Sequence, residues 1–142
     1  MGLEISILRH AGAIHVAGNL VGAMFFAPRV VRALGWLPAL LLAIGAGELA
    51  NRGAAVLIDR PVIGASASVF ALAGAWLVLF PCDRNARASI VLLLALQAAM
   101  AAVSLDFGGV AWVAHLIGAT LGAASVAVAG RLGVLGRVRR LR

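Results

Sequence analysis

The chain contains no lysine and no tyrosine, a single cysteine, Cys82, and only five acidic residues in 142. Each absence excludes something. One cysteine cannot build an internal disulfide framework. Without lysine there is no serine–lysine dyad. No His-Glu-x-x-His run occurs, so a zinc protease of that type lacks its ligands. The run Gly64-Ala65-Ser66-Ala67-Ser68 has serine where the nucleophile elbow of soluble hydrolases needs its second glycine. The three histidines, His10, His15 and His115, share one depth, whereas a b-type haem bundle wants them paired at several depths. No metal and no cofactor is implied.

Charge is scarce as well, at 12% of residues against 63% hydrophobic. A soluble domain of this size cannot hide so much apolar surface, so the class is integral membrane protein. Abundant glycine and alanine suit helices that pack closely in lipid. The net charge of +7 comes from arginines placed between apolar runs, not clustered among stacking aromatics. Membrane topology therefore accounts for it, and nucleic acid is not an expected partner. Met1 to Arg9 includes Glu4 and lacks the basic start and apolar core of a cleavable signal peptide.

Five apolar segments, at about 11–27, 34–50, 62–80, 90–105 and 110–130, are each near the ~20 residues that cross a hydrocarbon core. Unpaired backbone is too costly in lipid, and the alternating pattern of a barrel is missing. The predicted fold is an all-α bundle of about five transmembrane helices in one domain, 1–142, with a basic tail over 131–142. Arg29, Arg32, Arg84, Arg87 and the tail arginines fall on one side. Arg9, Arg52 and Arg60, beside Glu4, Asp59 and Asp106, fall on the other. The arginine bias predicts a cytoplasmic C-terminus and an outer N-terminus. His15, Ser66 and His115 then all lie at helix starts on the outer side. Ionisable groups inside a membrane are costly and point to a functional site.

A serine needs a base to become a nucleophile, and histidine is the usual one. Ser66 sits in the first turn of its helix, where backbone N–H groups lack intrahelical acceptors and the helix dipole is positive, a setting that suits an oxyanion. Asn19, one turn after His15, adds a side-chain donor. Ser66, Phe70 and Gly74 form one stripe at i, i+4, i+8, and His115, Gly118 and Gly122 another. The glycines allow the close approach that a serine–histidine pair requires. Phe70, one turn below Ser66, is placed to pack on the imidazole.

These parts resemble the rhomboid family of intramembrane serine proteases. The resemblance runs from His10 to about Ala129: His10 followed by His15-x-x-x-Asn19, then Gly35, Gly64-Ala65-Ser66, Phe70, and His115-x-x-Gly118-x-x-x-Gly122. It implies Ser66 as nucleophile and His115 as base, acting as a dyad. It also implies that His15, Asn19 and the region of Gly64 bind the oxyanion or substrate, with Phe70, Gly118, Gly122 and His10 in support. The implied substrates are transmembrane proteins, cut at or near the surface of a bilayer, with the site opening to the outer face of a bacterial inner membrane. Departures are Ala67, where the family has glycine after the nucleophile and which adds a methyl close to the oxyanion region, and Val31, in place of a loop glutamate. The usual first helix and its Trp-Arg loop also lack a counterpart, which fits a start upstream of Met1. The alternative reading is an inactive rhomboid-like protein that binds transmembrane helices.

Blander readings stand beside these. Ser66 is also a small residue at a helix start, and His15 with Asn19 also reads as a structural polar pair. His10 shapes a helix entrance. Ser68 faces away from the proposed site. Glu48 and Arg52, at i, i+4, read as an interfacial ion pair. Gln97 reads equally as a gate element or an interhelical bond, and Cys82 as inert. Oligomeric state is open.

Overall fold

A computed structural model describes residues 6–9, 12–103 and 111–133. His10, Asp106 and the tail beyond Gly133 lie outside these residues, as does the side chain of Gln97. The expected all-α bundle is what forms. A 3-10 turn, Ser6–Leu8, precedes α1 (Ala13–Leu34), α2 (Trp36–Ile58), α3 (Ser66–Leu79), α4 (Arg84–Val103) and α5 (Ala111–Arg131).

α1 is longer than the apolar run suggests. It continues through Pro28 and takes in Arg29 and Arg32, which the sequence reading puts after the helix. Proline removes one N–H from the ladder, but a membrane helix tolerates this where other groups serve the backbone. Arg29 Nη1 donates to the Phe25 carbonyl at 3.0 Å, next to the Met24 carbonyl that Pro28 leaves without its helical donor. The Arg29 guanidinium also lies 4.6 Å from the ring centroid of Trp76 on α3. The turn to α2 is then a single residue, Gly35, at φ 89°, a backbone angle that glycine adopts without strain.

α3 is the centre of the bundle and packs against α1, α2, α4 and α5. That position explains its composition. It is apolar on every side, as a helix buried all round must be, and Trp76 at its lower end is fully buried. The main core joins Phe26 and Val30 of α1, Ala39 of α2, Val126 of α5 and Val69, Leu72, Trp76 and Leu79 of α3. Outside it, Leu20, Val21, Met24, Leu40, Leu41, Val56 and Leu57 project outward from α1 and α2, an apolar exterior suited to lipid. The segments Trp36–Ile58 and Trp112–Arg131 are long and apolar enough to cross a bilayer.

α3 has only 14 residues, about 21 Å of helix against a hydrocarbon core of about 30 Å. Its first turn is recessed. Asn51 on α2 bonds to the Gly64 carbonyl, so the remaining residues of α2, 52–58, extend about 10 Å past that level. α5 behaves in the same way: Gly118 lies against the Ala67 carbonyl, leaving 111–117 to extend about 10 Å beyond it. Ser66 therefore starts α3 about 10 Å short of the ends of α2 and α5.

Candidate active site

α3 and α5 form the most extensive helix pair, and they run parallel. A Cβ added to Gly118 would meet the Ala67 carbonyl, one at Gly122 the Ala71 carbonyl, and one at Gly74 the Ala119 carbonyl. Each glycine thus touches backbone on the neighbouring helix. The glycines of α5 face Ala67 and Ala71, beside the line of Ser66, Phe70 and Gly74.

This close parallel packing sets the geometry above it. His115, one turn before Gly118, stacks on Phe70 with ring centroids 4.2 Å apart and planes 5° from parallel. Phe70 is in turn one turn below Ser66 on the same face of α3. Ser66 is half-buried. The first intrahelical bond of α3 runs from Val69 N to the Ala65 carbonyl, so the N–H groups of Ser66, Ala67 and Ser68 precede it. Alanine at the N-cap has no side-chain acceptor to occupy them.

His15 approaches from α1. A Cβ built on Gly64 would lie 2.6 Å from His15 Cε1, so the imidazole occupies the space that glycine leaves. His15 and His115 are also within electrostatic reach of one another. Asn19, one turn along α1, lines a cavity with Ala65 and Ser68. The structure thus brings His15, Asn19, Gly64, Ser66, Phe70 and His115 to one end of the bundle.

Two expectations change in detail. Gly64 was expected to take part in binding oxyanion or substrate. Its N–H donates to the Ser6 carbonyl at 3.0 Å and its carbonyl accepts from Asn51 Nδ2 at 3.0 Å. Its backbone is committed to the fold, and its φ of 113° with its missing side chain is what seats His15. Ala67 was expected to add a methyl close to the oxyanion region. It is instead fully buried in a second core cluster with Ala50, Ala54, Val62 and Ala114.

A polar latch under this end was not anticipated. Glu48 accepts from Arg52 Nε at 2.8 Å, as the i, i+4 spacing suggests. Its other oxygen accepts from the Ser6 backbone N–H at 3.0 Å and the Ser6 hydroxyl at 2.8 Å. Asn51, buried, donates both to Ser6 Oγ at 3.0 Å and to the Gly64 carbonyl. The latch pins the chain on either side of the site to α2. The available signal was Glu48 and Asn51 at i, i+3, next to Arg52, on a largely apolar helix, where buried polar groups need partners. Asn51→Leu is expected to cost about 1–2 kcal/mol, because it strands two acceptors. Denaturation of the micellar protein checks this. Limited proteolysis between Asp59 and Ala65 should become faster in the same variant.

A protein-family model described as the Rhomboid domain matches residues 2–132 of the chain. The Bacillus subtilis (strain 168) protein named "Putative rhomboid protease YdcA" is 33% identical over 116 residues, covering 79% of this chain and 58% of the relative. The chain thus spans less than two thirds of that relative's length. No solved structure matches.

Proposed function

The chain belongs to the rhomboid family, and from that premise we propose that it is an intramembrane serine protease, cleaving peptide bonds in or near transmembrane segments of other membrane proteins. The observation that carries this reading is the His115–Phe70 stack one turn below Ser66. It holds an imidazole against the ring that lies one turn from Ser66 at the start of α3.

In the proposed reaction Ser66 Oγ attacks the substrate carbonyl carbon while His115 takes its proton. The carbonyl oxygen becomes an oxyanion, held by the Ser66 N–H and the side chains of His15 and Asn19. The C–N bond then breaks as His115 returns the proton to the leaving amine, leaving an acyl ester on Ser66. A water molecule, deprotonated by His115, attacks that ester; the acyl C–O bond breaks, His115 returns the proton to Ser66 Oγ, and the new carboxyl end is released. Phe70 restricts the imidazole to one plane, and Gly118 and Gly122 let α5 approach closely enough. The arginine distribution supports a site opening to the outer face of the membrane, with the C-terminus in the cytoplasm.

The test is treatment of the detergent-solubilised protein with a fluorophosphonate, followed by mass spectrometry of its peptides. An adduct on Ser66 is the expected result. A folded protein that takes up no probe would overturn the protease reading and leave one in which the bundle binds transmembrane helices without cutting them.

A further inference from the structure

Glu48 has more partners than an interfacial ion pair needs. Arg52, one turn on and exposed, takes only one of its carboxylate oxygens. The other accepts both the backbone N–H and the hydroxyl of Ser6, at 3.0 and 2.8 Å. A carboxylate can only accept, so the Ser6 O–H points to it. That leaves a lone pair of Ser6 Oγ for Asn51 Nδ2, which donates to it at 3.0 Å.

From there the bonds close into a ring. The second N–H of Asn51 goes to the Gly64 carbonyl at 3.0 Å, and the Gly64 N–H returns to the Ser6 carbonyl at 3.0 Å. Asn51 is 1% exposed, which shields these bonds from competing water. The ring joins the two sides of the site. Ser6 precedes α1, which carries His15 and Asn19. Gly64 is two residues before Ser66 and leaves the space that the His15 imidazole fills. A shift of the Gly64 peptide therefore moves the seat of His15 and the first turn of α3 together.

We propose that Glu48 is a positioning residue: by fixing the direction of the Ser6 hydroxyl it orders the Ser6–Asn51–Gly64 ring, and through Gly64 it sets His15 against Ser66. Without that acceptor the Ser6 hydroxyl is free to rotate. Its proton can then turn toward the amide that donates to it, which opens the ring at Asn51. Arg52 has no part in this, because its bond is to the other carboxylate oxygen. The role rests on the protease reading above, because it acts through His15 on the oxyanion of that reaction.

The experiment uses the full chain in detergent, with Glu48→Leu, Glu48→Gln and Arg52→Leu, the first also combined with His15→Ala. Two rates are read: fluorophosphonate labelling, and modification of His15 by diethyl pyrocarbonate, resolved by mass spectrometry of its peptide. Glu48→Leu should slow labelling about 10-fold or more, the scale of a small misplacement at a reacting group. It should have no further effect once His15 is alanine, and it should speed modification of His15. Glu48→Gln keeps an acceptor for Ser6 and should restore most of the rate. Arg52→Leu should label at the native rate, since an exposed ion pair contributes little. If Glu48→Leu fails to fold, Ser6→Ala deletes the hydroxyl, keeps the Glu48–Arg52 pair and should slow labelling in the same His15-dependent way. Equal slowing in both backgrounds, no slowing, or a loss in Arg52→Leu as large as that in Glu48→Leu would overturn the positioning role. A native chain that takes up no probe would count against the protease reading and the role that depends on it. Faster modification of His15 in Glu48→Leu would then still show that the ring seats the imidazole, and an unchanged rate would remove that seating as well.

Discussion

Ser66→Ala is expected to abolish fluorophosphonate labelling and to lower cleavage of a membrane-embedded substrate by about 10⁴-fold or more. His115→Ala should give a loss of similar size. The reason is that nucleophile and base act as a unit: without its base the hydroxyl is a weak nucleophile, and without the hydroxyl the base has nothing to activate. The double variant should therefore be no slower than either single one. The measurement is cleavage of a single-span substrate co-reconstituted in liposomes, followed on gels. Stability separates chemistry from folding. Ser66 is half-buried and small, so Ser66→Ala should unfold within about 0.5 kcal/mol of the native chain. His115→Ala forfeits the Phe70 stack and should lose about 1 kcal/mol. Cleavage that persisted in a folded Ser66→Ala protein would remove the dyad from the account.

Gly122→Val should be the most destabilising single change, by about 3 kcal/mol or more. The added atoms would enter the space of the Ala71 carbonyl. A carbonyl inside a helix cannot swing aside as a side chain can, so α3 and α5 must separate along their length. Activity should fall with stability, since the same contact sets the distance between His115 and the first turn of α3. The contrast is Gly18→Ala in α1, where an added Cβ has nothing within 4 Å. There the helix gains and nothing is displaced, so a stabilisation of about 0.5–1 kcal/mol is expected. Thermal or denaturant titration of both variants in one detergent makes the comparison. If Gly122→Val proved as stable as Gly18→Ala, the tight parallel pairing of α3 and α5 would be wrong.

Much of this was legible before any coordinates. The mean hydropathy, the spacing of the arginines and the five apolar runs specify helices in a membrane, because lipid offers the backbone no other partner. His15, Asn19, Ser66 and His115 stand out in the sequence because polar groups in such runs are expensive. Helical spacing alone also puts Phe70 one turn below Ser66.

Other features depend on which helix meets which, and a periodic pattern does not carry that information. A proline commonly marks a helix end, yet α1 passes through Pro28 with Arg29 bonded back to its own turn. Glu48, Asn51 and Ser6 are more than forty residues apart at their extremes, and their latch exists only because α2 lies beside the 3-10 turn that precedes α1. Gly64 reads only as part of an oxyanion- or substrate-binding region, and packing alone puts its N–H on Ser6 and its vacant Cβ position beside His15. Composition and spacing determined the class of this protein and the residues able to do chemistry, because both follow from local hydrophobicity and helical period. The depth of Ser66 between longer helices, the face on which His115 meets Phe70 and the cavity shared by Asn19 and Ser68 were decided only by tertiary packing, because each is set by the register between helices distant in the chain.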